Sequence, residues 1–498
     1  MPPRQTGRVV VIGAGAGGLA AAAVLSARGR DVVVLERAAR PGGKLRAHEI
    51  AGRRVDAGPT VFTMRWVFES LFAAAGASLD GAVRLTPAAL LARHAFADGT
   101  RFDLPADRER AIDAVGDFAG LAEARRFRAF GERARDIYAT LEAPFLQSPR
   151  GGPLALARRT GWRRLPELWR IAPFATLWRA LGSHFRDPRL RQLFGRYATY
   201  CGSSPFQSPA TLMLIAHVEQ EGVWMVDGGM HALADALAAL ATRGGATLRC
   251  DADVTEVVVD ASGIRGVRLA DGEVIEARDV VVNADVAAIA DGRFGRAVQR
   301  AVDATPRAAR SLSALTWTLV ARTAGFPLAR HNVFFSADYA REFGDILVRR
   351  RTPADPTVYV CAQDRDDGCA ASGERERLLC LVNAPAIGDA HAFDATDVER
   401  CGQRMYRRLE RAGLRVESEA AATVVTTPTD FARLYPATGG ALYGRASHGW
   451  RASFARSGAT TRIPGLYCAG GSVHPGPGVP MAVLSGRLAA DAVLASAR

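Results

Sequence analysis

The sequence predicts an α/β fold in which a discontinuous parallel-sheet domain carries an inserted α+β lobe. One observation is Val9 to Arg37, where an apolar strand leads into a glycine-rich turn, an alanine-rich helix and a second apolar strand. The other is Gly465 to Gly471, which has the pattern of a strand running into a double glycine before a loop and a final helix. Strands and helices that alternate in this way are typical of parallel sheets. The similar patterns at opposite ends predict one domain interrupted by another.

The first stretch is a complete βαβ unit of the Rossmann type. Gly13 permits a tight turn, Gly15 lets a pyrophosphate approach the backbone, and Gly18 lets the helix pack closely on the strand. The N-terminus of the helix supplies free N–H groups and a positive dipole for the phosphates. Glu36 lies eighteen residues after Gly18, where a carboxylate can accept hydrogen bonds from ribose hydroxyls. The unit therefore predicts dinucleotide binding.

A different interpretation of the same residues is a signal peptide or a membrane span. The residues 9–27 carry no charge and follow Arg4 and Arg8, which is the composition that such segments share. The glycines in the middle of the run and the second strand directly after it favour the βαβ unit. No other run of 18 apolar residues is present, so we expect no transmembrane segment.

The composition indicates a globular enzyme. The chain has 498 residues, 48% of them hydrophobic and 23% charged, which predicts two or three domains. Its seven cysteines are scattered without a CxxC pair, so we expect no metal site. An odd, dispersed set of cysteines also predicts reduced thiols and a cytoplasmic location.

A basic segment stands out within the formal net charge of +13. Residues 150–196 contain eleven arginines against Glu167 and Asp187, together with three tryptophans. Nucleic-acid binding could explain such a charge, but arginines interleaved with Trp and Leu suit an anionic membrane surface. We expect a peripheral membrane contact through Arg150–Arg196 and no nucleic acid. Burial in the core is the alternative for the helical stripe, whose members are Leu177, Trp178, Leu181 and Phe185.

Taken in order, the chain divides into five predicted parts. Residues 1–104 and 224–304 form the first and second parts of the dinucleotide domain, and residues 441–498 complete it. Residues 105–223 are a mainly helical region that faces the substrate and the membrane. Residues 305–440 are the inserted mixed lobe.

Local patterns predict the elements of these parts. Residues 108–141 have helical spacing of apolar side chains, and Asp227-Gly228-Gly229 is a loop before another helix. A β-meander follows, and it ends in a buried strand over residues 280–285. The predicted strands of the meander and of the inserted lobe are 248–250, 254–259, 264–269, 274–277, 315–320, 333–335, 358–361 and 378–382.

Three further glycine-rich segments can bring the backbone against a flavin. Arg40 to Lys44 and Asp56 to Thr60 follow the first strands, although each could be an ordinary hairpin turn. The third is the C-terminal loop, His474 to Met481, after which residues 482–494 form a helix. The N-terminus of that helix can stabilise negative charge on a reduced flavin ring. A flavin site built from both ends of the chain follows from these motifs.

These motifs together resemble the bacterial phytoene-desaturase family of FAD-dependent carotenoid oxidoreductases, over essentially the whole chain. VVVIGAGAGG, Glu36, RPGGK and GLYCAGG are shared with amine oxidases, so the predicted fold is amine-oxidase-like and phytoene-desaturase-like. DAGPTVFTM (56–64), WMVDGGMHAL (224–233), VVNAD (281–285) and HPGPGVPMAVLSGR (474–487) are more specific. Within the family, AGPTVFTMRWVFESLF and ALYGRASHGW (441–450) are most similar to the 1-hydroxycarotenoid 3,4-desaturases.

The resemblance implies a non-covalent FAD and the removal of two hydrogens from C3–C4 of an acyclic 1-hydroxycarotenoid, such as 1-hydroxyneurosporene. The electron acceptor would be oxygen or a membrane quinone, and the sequence does not decide between them. We expect a cytoplasmic enzyme attached peripherally to the inner or photosynthetic membrane, because its apolar substrate dissolves there. The cofactor-binding residues that it implies are Gly13, Gly15, Gly18, Glu36, Arg37, Gly43, Lys44, Gly58, Pro59, Thr60, Val254, Gly470, Gly471, Val479, Pro480 and Met481.

The sequence does not identify a catalytic residue. The sequence offers no Ser-His-Asp or metal constellation, so catalysis would depend on holding the target C–H bond near the flavin. A base that collects the second proton could be Asp56, Arg65 or His474, and each of these also has a structural interpretation.

Four alternatives share this architecture, and one of them is a phytoene desaturase of the same family. An amine oxidase would have an aromatic cage and a cysteine joined to the flavin, and Cys468 is poorly placed for that linkage. A redox-neutral carotenoid isomerase also keeps FAD, and the sequence separates it poorly from a desaturase. A prenyl-protein carrier has the architecture without flavin, but the intact glycines at both ends argue against it.

Overall fold

The computed structural model describes residues 7–161, 174–261, 263–365 and 375–496. The helices are α1 (Ala16–Ala27), α2 (Arg65–Ala74), α3 (Arg108–Ala119), α4 (Leu121–Leu141), α5 (Pro153–Thr160), α6 (Leu177–His184), α7 (Pro188–Gly195), α8 (Leu214–Gln220), α9 (Met230–Arg243), α10 (Val286–Ala290), α11 (Tyr339–Phe343), α12 (Ala395–Arg411), α13 (Pro428–Leu434) and α14 (Val479–Ser496).

The strands occur in both halves of the chain. They are β1 (Val9–Ile12), β2 (Val32–Leu35), β3 (Ala47–Ile50), β4 (Arg53–Asp56), β5 (Phe62–Thr63), β6 (Leu85–Pro87), β7 (Leu90–Ala95), β8 (Arg101–Pro105), β9 (Val223–Val226), β10 (Thr247–Arg249), β11 (Val254–Asp260), β12 (Gly263–Leu269), β13 (Val274–Glu276), β14 (Asp279–Val282), β15 (Ser313–Gly325), β16 (His331–Phe334), β17 (Val358–Ala362), β18 (Glu376–Ala384), β19 (Leu414–Glu417), β20 (Thr423–Thr426) and β21 (Leu466–Cys468).

A five-stranded parallel sheet forms the centre of the first lobe. Its strand order is β10-β2-β1-β14-β21, so distant stretches of the chain supply one sheet. In the register, Val11 pairs with Val34 on one side and with Val281 on the other. The residues of β1 and β2 are all buried, as expected where both faces of a parallel sheet are covered. The predicted α/β fold with a Rossmann-type core is confirmed.

Helices cover one face of this sheet and a small antiparallel sheet covers the other. On the helical face α1 packs between α9 and α14. Helices α1 and α14 approach closely, because a Cβ added to Gly486 would lie 2.1 Å from the carbonyl oxygen of Gly17. On the other face, the meander β11-β12-β13 buries Val257 and Val267 against Val10 and Val33.

One strand of the predicted meander belongs elsewhere. We predicted residues 248–250 as its first strand, but β10 pairs in parallel with β2, at the edge of the central sheet. The prediction was wrong because the short run follows a helix and returns to the sheet in a crossover, which strand patterns alone do not distinguish from a meander.

The second lobe is built on an eight-stranded sheet. Its main order is β19-β15-β18-β17-β16-β7-β8, and β20 also pairs with β15. Strands β7 and β8 precede residue 105, yet β7 pairs in parallel with β16, with His94 opposite Val333. The predicted boundary at residue 104 grouped these two strands with the nucleotide domain, whereas their hydrogen bonds place them in the sheet of the inserted lobe.

The helical region packs against both lobes. Residues 108–141 form two helices rather than one, since Gly120 adopts a φ of +93° between α3 and α4. Leu177, Leu181 and Phe185 are buried in an aromatic core. Trp178 is half-buried, and its ring lies 4.8 Å from that of Phe206. The apolar stripe is therefore core, and Trp162 and Trp169 lie outside the described residues.

Helix α14 is long and apolar enough to cross a membrane, and it alone passes that test among the described residues. It packs against α1 and α2, and Val483, Ala489 and Val493 belong to the main core. In this structure α14 therefore serves as a core helix.

Candidate active site

A large cavity of about 880 Å³ is lined by residues of both lobes. One end reaches the loop between β1 and α1, and the walls continue along α4, α5 and α8 to the eight-stranded sheet. Away from the glycine loops most of the wall is apolar. Apolar members of that wall include Leu141, Phe145, Leu146, Leu156, Leu212, Leu214, Ile215 and Val218.

The glycine loop at one end of the cavity is held by Glu36. One carboxylate oxygen accepts a hydrogen bond from the N–H of Ala14 at 2.7 Å, and the other accepts from the N–H of Ala38 at 3.0 Å. Helix α1 begins after Gly15, which has no side chain to cap it, and its first turn carries no acidic residue. The first N–H groups of a helix have no partner within the helix. The loop therefore fits a phosphate or pyrophosphate.

Asn283, which follows β14, joins the two glycine-rich motifs. Its Nδ2 donates to the carbonyl oxygen of Ala469 at 3.1 Å. A Cβ added to Gly15 would lie 2.7 Å from Oδ1 of Asn283, and one added to Gly470 would lie 2.6 Å from Nδ2. Asn283 also lines the cavity. Asn283 belongs to the VVNAD motif, from which no role for this residue was predicted.

The RPGGK and DAGPT turns lie against each other beside the loop. A Cβ added to Gly58 would lie 1.9 Å from the carbonyl oxygen of Lys44, so only glycine fits there. Lys44 donates through Nζ to the carbonyl oxygen of Leu442 at 2.5 Å. Burial lowers the pKa of Lys44, and the charge of Asp285 opposes that shift. The cavity thus has a lysine near its glycine-rich end.

The cavity gathers nearly all the predicted cofactor residues. Gly18 is the exception, because it lies behind the loop, where an added Cβ would be 2.2 Å from the carbonyl oxygen of Gly13. Their contact with a cofactor stays a prediction, which the bare glycine backbone and the uncapped helix support. The predicted residues that line the cavity are Gly13, Gly15, Glu36, Arg37, Gly43, Lys44, Gly58, Pro59, Thr60, Val254, Gly470, Gly471, Val479, Pro480 and Met481.

Two of the suggested proton acceptors have structural contacts instead. The carboxylate of Asp56 accepts from the N–H groups of Met230 at 2.6 Å and His231 at 3.1 Å, and it contacts Nδ1 of His231 at 2.7 Å. It therefore caps α9. Arg65 pairs with Asp80 and Glu69 at the surface. Neither Asp56 nor Arg65 is among the residues that line the cavity, so the structure gives no support for either as a base.

His474 is buried behind the cavity wall. Its Nε2 lies 2.9 Å from the carbonyl oxygen of Phe145 and 3.0 Å from that of Ser148. This places the proton on Nε2, and burial lowers the pKa of the imidazole. Pro475 and Gly476 line the cavity, whereas the His474 side chain anchors their loop to the residues after α4.

A polar cluster that sequence analysis missed interrupts the apolar wall. Arg196 donates to the hydroxyl of Tyr200 at 3.1 Å, and its guanidinium lies 5.2 Å from the ring centres of both Tyr200 and Tyr359. Tyr359 and Thr60 share a hydrogen bond of 2.7 Å between their hydroxyls. Glu219 lies in the same wall. We call these five cavity-lining residues the arginine–tyrosine cluster: Thr60, Arg196, Tyr200, Glu219 and Tyr359.

Two exposed aromatic residues that contact each other lie at the solvent-facing edge of the cavity. Phe174 and Trp450 both line it and both are exposed, and their rings meet edge to face at 5.4 Å. Leu154, which is 83% exposed, lies at the start of α5 next to the lining residue Pro153. The opening thus has an apolar rim.

Comparison with known proteins agrees with this geometry. The family of flavin-containing amine oxidoreductases matches residues 16–494. Hydroxyneurosporene desaturase of Rubrivivax gelatinosus is 53% identical over 99% of this chain and 94% of its own, and that of Cereibacter sphaeroides is 44% identical over 98% and 97%. A crystal structure of an oxidoreductase from Methanosarcina mazei has the same fold, with a TM-score of 0.63 at 17% identity over 98% of this chain and 100% of its own.

The chain belongs to the family of flavin-containing amine oxidoreductases, so it is a flavin-dependent oxidoreductase. Within that family it is similar over nearly its whole length to the hydroxyneurosporene desaturases of three bacteria. The resemblance predicted from the motifs is confirmed.

Proposed function

We propose that the protein removes two hydrogens from C3–C4 of an acyclic 1-hydroxycarotenoid such as 1-hydroxyneurosporene, using a non-covalently bound FAD. The observation that carries the proposal is a single apolar cavity that connects the glycine-rich loops to the arginine–tyrosine cluster. A polyene has almost no hydrogen-bonding groups, so its binding depends on apolar surface removed from water. The names of the relatives support the same reaction.

The residues of the chain would hold the two reactants rather than attack either of them. Bound FAD would supply the acceptor for the hydride. The loop at Gly13–Gly15 and the first turn of α1 would bind its pyrophosphate, and Glu36 its ribose. Lys44 and the turns at Gly58 and Gly470 would lie against the flavin ring. Leu212, Leu214 and Val218 would exclude water from the reacting polyene.

A non-covalent cofactor agrees with the position of the cysteines. Cys468 is fully buried in β21 and is not among the residues that line the cavity, whereas Cys201 does line it. Burial raises the pKa of both thiols, to about 12 and about 11. Neutral thiols are poor nucleophiles toward a flavin.

Product analysis tests the proposal directly. Purified enzyme with bound flavin is incubated with liposomes containing 1-hydroxyneurosporene, and the carotenoids are separated by chromatography. We expect a product that is two mass units lighter, with a longer conjugated chromophore. Unchanged carotenoid in the presence of oxygen and of a quinone, the two proposed acceptors, would refute the proposal. An isomerised product of unchanged mass would show an isomerase instead.

We also propose that the enzyme collects its substrate from a membrane surface. The rim formed by Leu154, Phe174 and Trp450 is apolar and exposed, and Arg158 and Arg451 are exposed beside it. Arginines next to inserted aromatic side chains suit an anionic lipid surface. Trp178 packs against Phe206 and therefore does not contribute to this surface. The aromatic side chains proposed to contact the lipid are those of the rim, Phe174 and Trp450.

A further inference from the structure

We propose that the arginine–tyrosine cluster binds the terminal oxygen of the substrate and thereby selects hydroxylated carotenoids over their hydroxyl-free analogues. The inference rests on the proposed function. It assigns the selection to Arg196, with Tyr200 as its hydrogen-bonded partner.

The position of the cluster suits the terminal oxygen of the substrate. In a 1-hydroxycarotenoid, only C1 and C2 separate the oxygen from C3, where a hydrogen is removed. A group that binds this oxygen must therefore lie beside the flavin. Thr60 belongs to the DAGPT turn next to Lys44, and its hydroxyl contacts Tyr359 at 2.7 Å. The cluster thus begins at the turn that is predicted to lie against the flavin ring.

Arg196 has N–H groups that remain available to donate to a ligand. A guanidinium has five N–H groups, and the hydrogen bond to Tyr200 uses one nitrogen of Arg196. Within the described part of the chain, no carboxylate lies within 4.0 Å of this guanidinium, although other arginines of the same segment, such as Arg189, form ion pairs. Arg196 lines the cavity, so its other N–H groups are placed to donate to a bound molecule.

The charges in the cluster favour a neutral ligand. Glu219 is buried, and it accepts a hydrogen bond from Tyr197 at 2.6 Å. Burial raises the pKa of Glu219, and hydrogen bonds from Tyr197 and Tyr200 together with the charge of Arg196 oppose that shift. Because Glu219 lines the same cavity as Arg196, an anionic ligand would bring a second acidic group into the cluster, whereas a hydroxyl would not. A hydroxyl oxygen fits this arrangement better than an anion does.

Neighbouring rings fix the orientation of the Arg196 guanidinium. The guanidinium lies between the rings of Tyr200 and Tyr359, and Tyr359 is fixed in turn by Nδ1 of His331 at 2.7 Å. A donor whose orientation is fixed before binding discriminates strongly, because a ligand without the oxygen leaves it unpaired in an apolar site.

A competition experiment measures the selection. Enzyme loaded with flavin receives an equimolar mixture of 1-hydroxyneurosporene and neurosporene in liposomes, and the ratio of the two products gives the ratio of their kcat/KM values. This ratio does not depend on the active fraction of a variant. We expect the parent enzyme to prefer the hydroxylated substrate by about tenfold or more, as for a lost hydrogen bond to a charged group.

The Arg196→Met variant should lose most of this preference through slower turnover of the hydroxylated substrate, while turnover of neurosporene changes little. Tyr200→Phe removes a single oxygen and should lower the preference by a smaller factor, about two- to tenfold. The control is Arg191→Met. Arg191 also stacks on an aromatic ring, 4.3 Å from the centre of Trp178, but it lies outside the cavity lining. It should retain the preference of the parent.

The outcomes separate the two proposals. A parent enzyme that converts neither carotenoid refutes the proposed function. A parent that discriminates, with an Arg196→Met variant that discriminates equally well or loses both activities in proportion, refutes only the role of the cluster. If Arg196→Met does not retain flavin, Tyr200→Phe decides: an unchanged product ratio in that variant overturns the assignment.

Discussion

The two ends of the cavity are built from different parts of the polypeptide. At the nucleotide end the wall is backbone, and glycines at 15, 58 and 470 leave no room for a Cβ. At the substrate end the wall is made of side chains from α4, α8, β17 and the turn at Arg196–Cys201. A wall of backbone fixes what is bound, whereas a wall of side chains can change by substitution while the fold stays the same. We therefore expect cofactor binding and substrate choice to respond separately to mutation.

The largest expected effect would come from Gly15→Val. The new side chain would collide with Asn283, whose Oδ1 would lie 2.7 Å from an added Cβ, and would fill the phosphate groove. We expect complete loss of flavin, measured by absorbance of the purified protein. Gly152→Ala is the control, because an added Cβ there meets nothing within 4 Å and its φ is −78°. Full flavin content in Gly15→Val would remove this loop from the cofactor site.

Removing charge from the segment proposed to bind the membrane should weaken lipid binding without changing the flavin content. Replacing Arg158, Arg159, Arg163 and Arg164 by Gln removes four charges, of which the last two lie outside the described residues. Each basic residue near anionic lipid contributes about 1 kcal/mol, so binding to anionic liposomes should weaken by up to about 4 kcal/mol. Flavin content should stay constant, and the parent should itself dissociate as salt rises.

A matched variant controls for net charge in that experiment. Four exposed arginines of the inserted lobe lie far from the rim along the chain, and replacing them by Gln changes the charge equally. They are Arg322, Arg407, Arg411 and Arg415. Equal sedimentation of both variants with liposomes would contradict docking through residues 150–196.

The carboxylate of Glu36 should matter for affinity rather than for turnover. Glu36→Ala removes the acceptor for the N–H groups of Ala14 and Ala38, together with the proposed contact to the ribose. Loss of a hydrogen bond to a charged group costs about 1.5–3 kcal/mol, so FAD should bind the apoprotein about ten- to 150-fold more weakly. Fluorescence quenching of FAD measures this affinity, and a change below twofold would exclude Glu36 from the site.

The smallest effect is expected at Asp56. Because its carboxylate caps α9, Asp56→Ala should lower the free energy of unfolding by about 1–2 kcal/mol. Turnover per bound flavin and its pH profile should stay as in the parent at temperatures where the variant is folded. Loss of a titration step from the pH profile would restore Asp56 as a proton acceptor.

The difference between the two ends also explains what the sequence could predict. The nucleotide end follows from local spacing, because Gly13, Gly15 and Gly18 have fixed roles at the junction of a strand and a helix. The substrate end depends on contacts between distant residues. Arg196 meets Tyr359 across 163 positions of the sequence, and the arginine was counted with a basic surface. The spacing of Arg196 and Tyr200, one helical turn apart beside the buried Tyr197, was the available signal.

The same distinction applies to the elements of the fold. The strand at residues 9–12 and the final helix were predicted because each has a local apolar pattern beside a glycine-rich motif. The pairing of β10 with β2 and of β7 with β16 was not predicted, since a strand of three to six residues carries no mark of its partner. Asn283 contacts glycines that are adjacent only after the two glycine-rich motifs meet.

The close contact between α1 and α14 has a consequence for biosynthesis. Strand β21 and helix α14 enter the central fold, yet β21 begins 439 residues after the end of α1 and α14 follows it. While α14 is still inside the ribosome, the apolar faces of α1 and β1 have no permanent cover. We therefore expect the uncovered face of α1 to contact chaperones or other parts of the nascent protein during this interval. We also expect cofactor binding only after α14 has left the ribosome, because Val479 and Pro480 line the cavity together with Gly13.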